Sequence, residues 1–155
     1  KRLGDIEVDL MMGKNHKGAL LVMTDRASLY TRIVKLSGKS SDEVSAAIIK
    51  KLTPSTYTLH TLTFDNDKAF TNHSKIAKAL GVDTYFARPY TSQDKGTVEN
   101  RIGVIRRFLP KKTDLTFKSH QQIKEIERKL NNRPVKKFNY LTPNQVLHQK
   151  IALIA

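Results

Sequence analysis

GDIEVDLMM (residues 4–12), ALLVMT (19–24) and LYTRIVKL (29–36) decide the fold of this 155-residue chain. In the first run Ile6, Val8 and Leu10 alternate with Asp5, Glu7 and Asp9. That two-residue period is a strand with one face on a core. The second run is unbroken apolar sequence, which fits a central strand buried on both faces. The third is rich in β-branched and aromatic residues, which favour strands. Lys14-Asn15-His16-Lys17-Gly18 and Asp25-Arg26-Ala27-Ser28 separate the runs as turns. The first third of the chain therefore reads as an antiparallel meander of three strands.

Downstream the period changes. Ser40, Ser41 and Asp42 offer N-cap oxygens to a helix with Val44, Ala47, Ile48 and Leu52 on one stripe, ended by Pro54. LHTLTF (59–64) is a fourth strand that delivers Asp65 at its C-terminal end. NHSKIAKAL (72–80) is a short helix closed by Gly81, and VDTYFA (82–87) is a fifth strand. Residues 88–95 form a loop containing Pro89. A helix over residues 96–108 is stopped by Pro110. Another, over residues 119–132, carries Ile123, Ile126 and Leu130 on one stripe and stops before Pro134. Thr142-Pro143 opens a last turn or two, with Pro at the first helical position. The class is α/β: a mixed five-stranded sheet, meander plus two further strands, flanked by helices. No linker divides residues 1–155, which read as one domain. The chain starts directly on a strand, as expected of a domain excised from something longer.

Charge points to a partner. There are 28 Lys and Arg against 14 Asp and Glu, a formal net charge of +14. A polyanion offsets such an excess, and nucleic acid is the commonest one. There is no cysteine, which excludes disulfides and Cys-ligated zinc and is compatible with a reducing cytoplasm. No run of eighteen apolar residues offers a membrane span.

Against this basic background three acids stand at or near element ends. Asp9 projects from the middle of the first strand, Asp65 from the end of the fourth, and Glu99 from the first turn or so of the helix over 96–108. If the first and fourth strands are neighbours, Asp9 and Asp65 converge. The helix after the fifth strand must then fold back across that edge to bring in Glu99. Carboxylates in a positive surface suit Mg²⁺, which takes few protein oxygens and keeps waters and phosphate oxygens. Two such ions, roughly 3.5–4 Å apart, serve phosphoryl transfer. Each acid alone also has an ordinary explanation. Glu99 complements a helix N-terminus, Asp65 suits a turn, and Asp9 fits a solvent face beside Asp5 and Glu7. Glu7 is a specific rival, because it shares a strand face with Asp9.

The runs IEVDLMMGKNHKGALLVMTDRASLY, LTFDNDKAF, YFARPYTSQDKGTVENRIGVIRRFLPKKTDL and LNNRPVKKFNYLTPNQVL together resemble the catalytic core of DDE-type insertion-sequence transposases. The insertion sequence thirty family is the nearest, itself similar to retroviral integrases. The resemblance covers nearly the whole chain. It implies an RNase H-like fold, with Asp9, Asp65 and Glu99 as the catalytic and metal-binding acids. It implies two Mg²⁺ ions (Mn²⁺ as substitute), strand cleavage at transposon ends, and strand transfer by the freed 3′-hydroxyl. The expected partners are DNA, as transposon ends and target, and further copies of the chain when assembled on DNA. The expected location is a bacterial cytoplasm. Asp67, Ala69, Gln93 and Val98 depart from the family's usual Gly, acid, Trp and Asn, and none removes a metal ligand. Asp67 is expected to tolerate a left-handed backbone.

Residues 101–137 hold twelve Lys or Arg and three acids. Lys95, Arg106, Arg107, Lys111 and Lys112, around the Glu99 helix, are the expected phosphate contacts. Lys124, Arg128 and Lys129 read as a solvated helix face. PKKTDL (110–115) matches the family without a role the sequence reveals, and Asn131-Asn132-Arg133-Pro134 reads as a helix end. His16, His60, His73, His120 and His148 lack metal-ligand spacing and read as structural or surface residues. Two other functions fit the fold: a non-catalytic DNA-binding or assembly module, and a hydrolytic nuclease without strand transfer.

Overall fold

The alternating and apolar runs become strands in the computed structural model, which describes residues 1–89 and 94–154. β1 (Asp5–Met12), β2 (Ala19–Asp25), β3 (Thr31–Leu36), β4 (Thr61–Phe64) and β5 (Asp83–Phe86) form one sheet in the order β3-β2-β1-β4-β5. β1–β2 and β2–β3 are antiparallel hairpins; β4 joins β1, and β5 joins β4, in parallel. Parallel neighbours need a crossover. Helices α1 (Ser41–Leu52) and α2 (His73–Leu80) lie in the β3–β4 and β4–β5 connections.

The sheet has two packed faces. Ile6, Val8, Leu21, Met23, Leu62 and Phe64 share one core with Val44, Ile48 and Leu52 of α1 and with Ile76 and Leu80 of α2. Met11, Leu20, Val22 and Ile33 share the other with α3 (Gly96–Phe108) and α4 (His120–Asn131), through Val98, Ile105, Ile123, Ile126 and Leu130. β2 is buried along its whole length, as its unbroken apolar sequence requires. Helix starts follow the side chains that satisfy them. Ser40 Oγ accepts from Glu43 N, and Ser119 with Gln122 forms a reciprocal capping box. Gly81 closes α2 in the left-handed conformation at φ 67°.

The sequence and the structure differ at several places. β3 starts at Thr31 rather than at residue 29. The Asp25 carboxylate accepts from Ala27 N, Ser28 N and Ser28 Oγ, and the turn it builds leaves Leu29 left-handed at φ 63°. Asp67 is extended (φ −112°, ψ 147°) and caps a short helical turn through Ala69 N, so no left-handed residue is needed there. Gln93 lies outside the described residues. The C-terminal turn or two is a full helix, α5 (Pro143–Ile154), opened by mutual Thr142 and Gln145 hydrogen bonds. It buries only Pro143 and Val146, so it has little apolar stripe for a sequence reading to find.

Two family-like segments gain physical roles. The Asn131 side chain takes a hydrogen bond from Thr31 N at 2.9 Å and gives one to Thr31 O at 2.8 Å. Glu127, one turn earlier, accepts from Ile33 N. Together they satisfy the free edge of β3 as another strand would, which blocks edge pairing. The end of PKKTDL docks on the β1–β2 turn: Lys14 N donates to Thr113 O, and Leu115 N to Lys17 O. Leu115 is fully buried there.

Candidate active site

Register brings the first two acids together. β1 and β4 pair as Asp5↔Thr61, Ile6↔Leu62 and Glu7↔Thr63. Two residues further on, the same offset sets Asp9 beside Asp65, on one face because the strand period is two. A single ammonium marks their convergence: Lys95 Nζ lies 3.2 Å from Asp9 Oδ2 and 2.5 Å from Asp65 Oδ1. The two carboxylate oxygens can be no further apart than those two distances laid end to end. Asp9 is also held in orientation by Leu10 N, which donates to its Oδ1 at 2.8 Å.

Environment separates the two acids. The Asp9 side chain is 19% exposed and that of Asp65 is 49% exposed. Burial pushes the Asp9 carboxyl up to about 6; Lys95 pulls it down, and the neighbouring Asp65 pushes it up again. The site is therefore enclosed at Asp9 and open to solvent at Asp65.

Glu7, two residues before Asp9 on the same face, does different work. It is 1% exposed. Its Oε1 accepts from Val98 N in the first turn of α3 at 3.1 Å, and its Oε2 accepts from Arg26 Nε at 2.8 Å. Arg26 Nη2 in turn donates to Asp94 O at 2.7 Å. Both Glu7 oxygens are thus committed to pinning the start of α3 against β1 and β2. Spacing alone could not distinguish Glu7 from Asp9; burial does. Arg26, which the sequence presents only as a turn residue, is the second half of this pin. Glu7→Ala removes one partner of a buried pair and leaves Val98 N without an acceptor. It is expected to cost about 3–5 kcal/mol in urea unfolding. A change within experimental error would show that the pin holds nothing.

Glu99 sits in the first turn of α3 with an exposed side chain, and its N–H donates to Lys95 O. Among the described residues no three acidic or histidine side chains are gathered closely enough to hold one ion. The structure thus unites Asp9 and Asp65 and leaves Glu99 on the adjoining helical turn. The basic residues divide in the same way. Lys95, expected as a surface phosphate contact, is buried between the carboxylates, with 3% of its side chain exposed. Arg106 is half-buried and donates to Met12 O and, weakly, to Leu109 O. Arg107, Lys111 and Lys112 are exposed at the far end of α3 and in the loop after it.

The donor set suits a hard divalent cation. Two carboxylates converge on one cationic atom, and Mg²⁺ asks for one or two such carboxylates plus water and phosphate oxygens.

No protein-family model matches the chain. It is 45% identical over 97% of its length to the transposase for insertion sequence element IS4351 of Bacteroides fragilis. It is 37% identical over 99% of its length to the transposase InsI for insertion sequence element IS30A of Escherichia coli K12. It covers 46% and 40% of those proteins, so it spans less than half of the curated relatives it matches. Among solved structures, the catalytic core domain of BIV integrase superposes with a TM-score of 0.75 at 18% identity, over 97% of this chain and 98% of that one. A chain of a simian T-cell lymphotropic virus intasome, solved with the PP2A regulatory subunit B56 gamma, superposes with a TM-score of 0.76 at 16% identity. That match covers 94% of this chain and 54% of the other.

Proposed function

This chain is a relative of the insertion-sequence transposases, IS30 among them, with the RNase H-like fold of retroviral integrase cores, and from that premise we propose that it is a transposase catalytic core. As proposed, it cleaves DNA at transposon ends and joins the freed 3′-hydroxyl to target DNA. It works in a bacterial cytoplasm as one domain of a longer protein, with several copies assembled on DNA. The observation that carries the proposal is the convergence of Asp9 and Asp65 from adjacent parallel strands on one cation position.

In this reading Asp9 and Asp65, with Glu99 from the adjoining helical turn, would hold two Mg²⁺ ions. When bound, the ions supply charge stabilisation at the reacting phosphate and lower the pKa of the attacking hydroxyl or water. The chain's own residues do the rest. β1 and β4 fix the first two carboxylates in register. The Glu7–Arg26 pin fixes the start of the helix that carries Glu99. Partial burial of Asp9 keeps bulk water from diluting the local field. Arg107, Lys111 and Lys112 meet the DNA backbone without reading its sequence. Arg106 serves both purposes, since part of its guanidinium ties α3 to the end of β1.

The test mixes the protein with a labelled end duplex and a supercoiled plasmid in Mg²⁺ or Mn²⁺. Joined product is expected. Nicking without joining would make it a hydrolytic nuclease of the same fold. DNA retention without nicking or joining would make it a non-catalytic module.

DNA affinity supplies a separate prediction. With a net charge of +14, log affinity is expected to fall linearly with log salt as counterions are released. Replacing Arg107, Lys111 and Lys112 by Ala should shrink the slope by about one for each phosphate that these side chains neutralise, equally for end and scrambled duplexes. A salt series by fluorescence anisotropy checks this. An unchanged slope would remove these residues from the DNA surface.

A further inference from the structure

Lysine is rarely buried, and then only when its charge is matched. Lys95 is matched by two carboxylates, and its side chain is 3% exposed. Yet its ammonium has no hydrogen bond of good geometry; both contacts are ion pairs by distance alone. Both run to carboxylate oxygens, contacts that a divalent cation at the same position would also make. We propose that Lys95 is a built-in counter-cation: its ammonium holds Asp9 and Asp65 together in the metal-free protein, and an incoming divalent ion displaces it toward a DNA phosphate. This rests on reading Asp9 and Asp65 as metal ligands.

Three features of the surroundings support the displacement. First, an ammonium and a divalent cation between the same carboxylates would repel strongly at such short range, so their occupancy is mutually exclusive. Second, the half-exposed Asp65 leaves the site open on one side, which gives the ion a way in and the ammonium a way out. Third, the backbone need not move. Arg26 holds Asp94 O just before Lys95, and Glu7 holds Val98 N just after it. Lys95 itself is the N-cap of α3 and makes no side-chain cap bond. Its flexible four-carbon stem can therefore swing while the helix start stays fixed.

Two consequences follow. The internal cation competes with metal and lowers its apparent affinity by the fraction of time the site is occupied. By reciprocity, DNA that draws Lys95 out raises metal affinity, so metal and DNA help each other to bind. Since Glu99 N–H donates to Lys95 O, the ammonium and the third acid are presented by the same helical turn. Lys95 thus has a place in both states: between the carboxylates without metal, on the DNA with it.

The test uses Mn²⁺ titration by calorimetry and thermal unfolding, neither of which requires activity. Lys95→Met keeps the stem and removes the charge. It should bind Mn²⁺ about tenfold tighter than wild type or better. In EDTA it should melt below wild type, because two carboxylates face each other with no cation, and Mn²⁺ should reverse the loss. Lys95→Arg keeps a cation in place and should bind Mn²⁺ within about threefold of wild type. In the wild-type chain, mass-spectrometric lysine acylation offers a readout that needs no variant: labelling of Lys95 should rise several-fold when Mn²⁺ is added. If Lys95→Met binds Mn²⁺ no tighter, or Lys95 labelling ignores Mn²⁺, the displacement is wrong. If wild type shows no Mn²⁺ binding that Asp9→Asn abolishes, it is the metal-site reading that fails.

Discussion

Asp9→Asn and Asp65→Asn are each expected to lower Mg²⁺-dependent strand cleavage and joining by about a thousandfold or more. A lost ligand removes several kcal/mol of charge stabilisation at the reacting phosphate. Glu99→Gln should act in the same direction. The side-chain volume hardly changes, so the fold should persist in all three. Asp9→Asn also has a signature in stability. The folded Asp9 carboxyl is raised from 3.8 to about 6, so the folded chain binds its proton more tightly than the unfolded chain does. That contribution is complete below pH 3.8 and is lost as pH rises through about 6. Asp9→Asn removes it, so its urea midpoint should fall less than wild type between acid and neutral pH. If cleavage survives Asp9→Asn, the assignment on β1 is wrong. Glu7 would not be its replacement, because both of its oxygens are already bound to Val98 and Arg26.

Gly4→Ala is expected to cost roughly 4 kcal/mol or more, in the range reserved for backbone strain and steric conflict. Gly4 has φ 98°, and an added Cβ would lie 1.8 Å from Thr58 O. Thr58 O is backbone, not a flexible side-chain end that could give way. The same glycine ties two strand starts together. Its carbonyl accepts from His60 N and Thr61 N, and its N–H donates to Asp25 Oδ1. The β1–β4 register depends on that junction, and the register sets Asp9 beside Asp65. The damage should therefore be double: a lower urea midpoint, and weaker Mn²⁺ binding at temperatures where the variant remains folded. A variant as stable as wild type would mean that the junction relaxes freely.

Much of this was legible in the residues alone. Alternation in GDIEVDLMM and the unbroken run ALLVMT are local signals, because a strand's two-residue period is written into its own sequence. The caps at Ser40 and Ser119, the stop at Gly81 and the breaks at Pro54 and Pro110 are local as well. So, among the described residues, strands β1 to β5, the class of the sheet and helices α1 to α4 could be read directly. On the residues alone Asp9, Asp65 and Glu99 are candidates, each with an ordinary alternative; the resemblance to the transposase family is what singles them out. α5 is longer than its sequence suggests because it rests on a mutual cap and a little burial rather than on an apolar stripe.

What tertiary structure alone decided is who faces whom. Glu7 and Asp9 are equivalent by spacing, yet one is spent on Val98 and Arg26 and the other meets Asp65. Asn131 looks like a helix end and is a clamp on the edge of β3, a hundred residues away. Lys95 looks like any surface lysine before a helix and is buried between two carboxylates. Each of these depends on packing between residues far apart in the chain. A sequence carries the pattern of its own elements; the partners that crossovers and packing bring to a side chain exist only once the sheet is assembled.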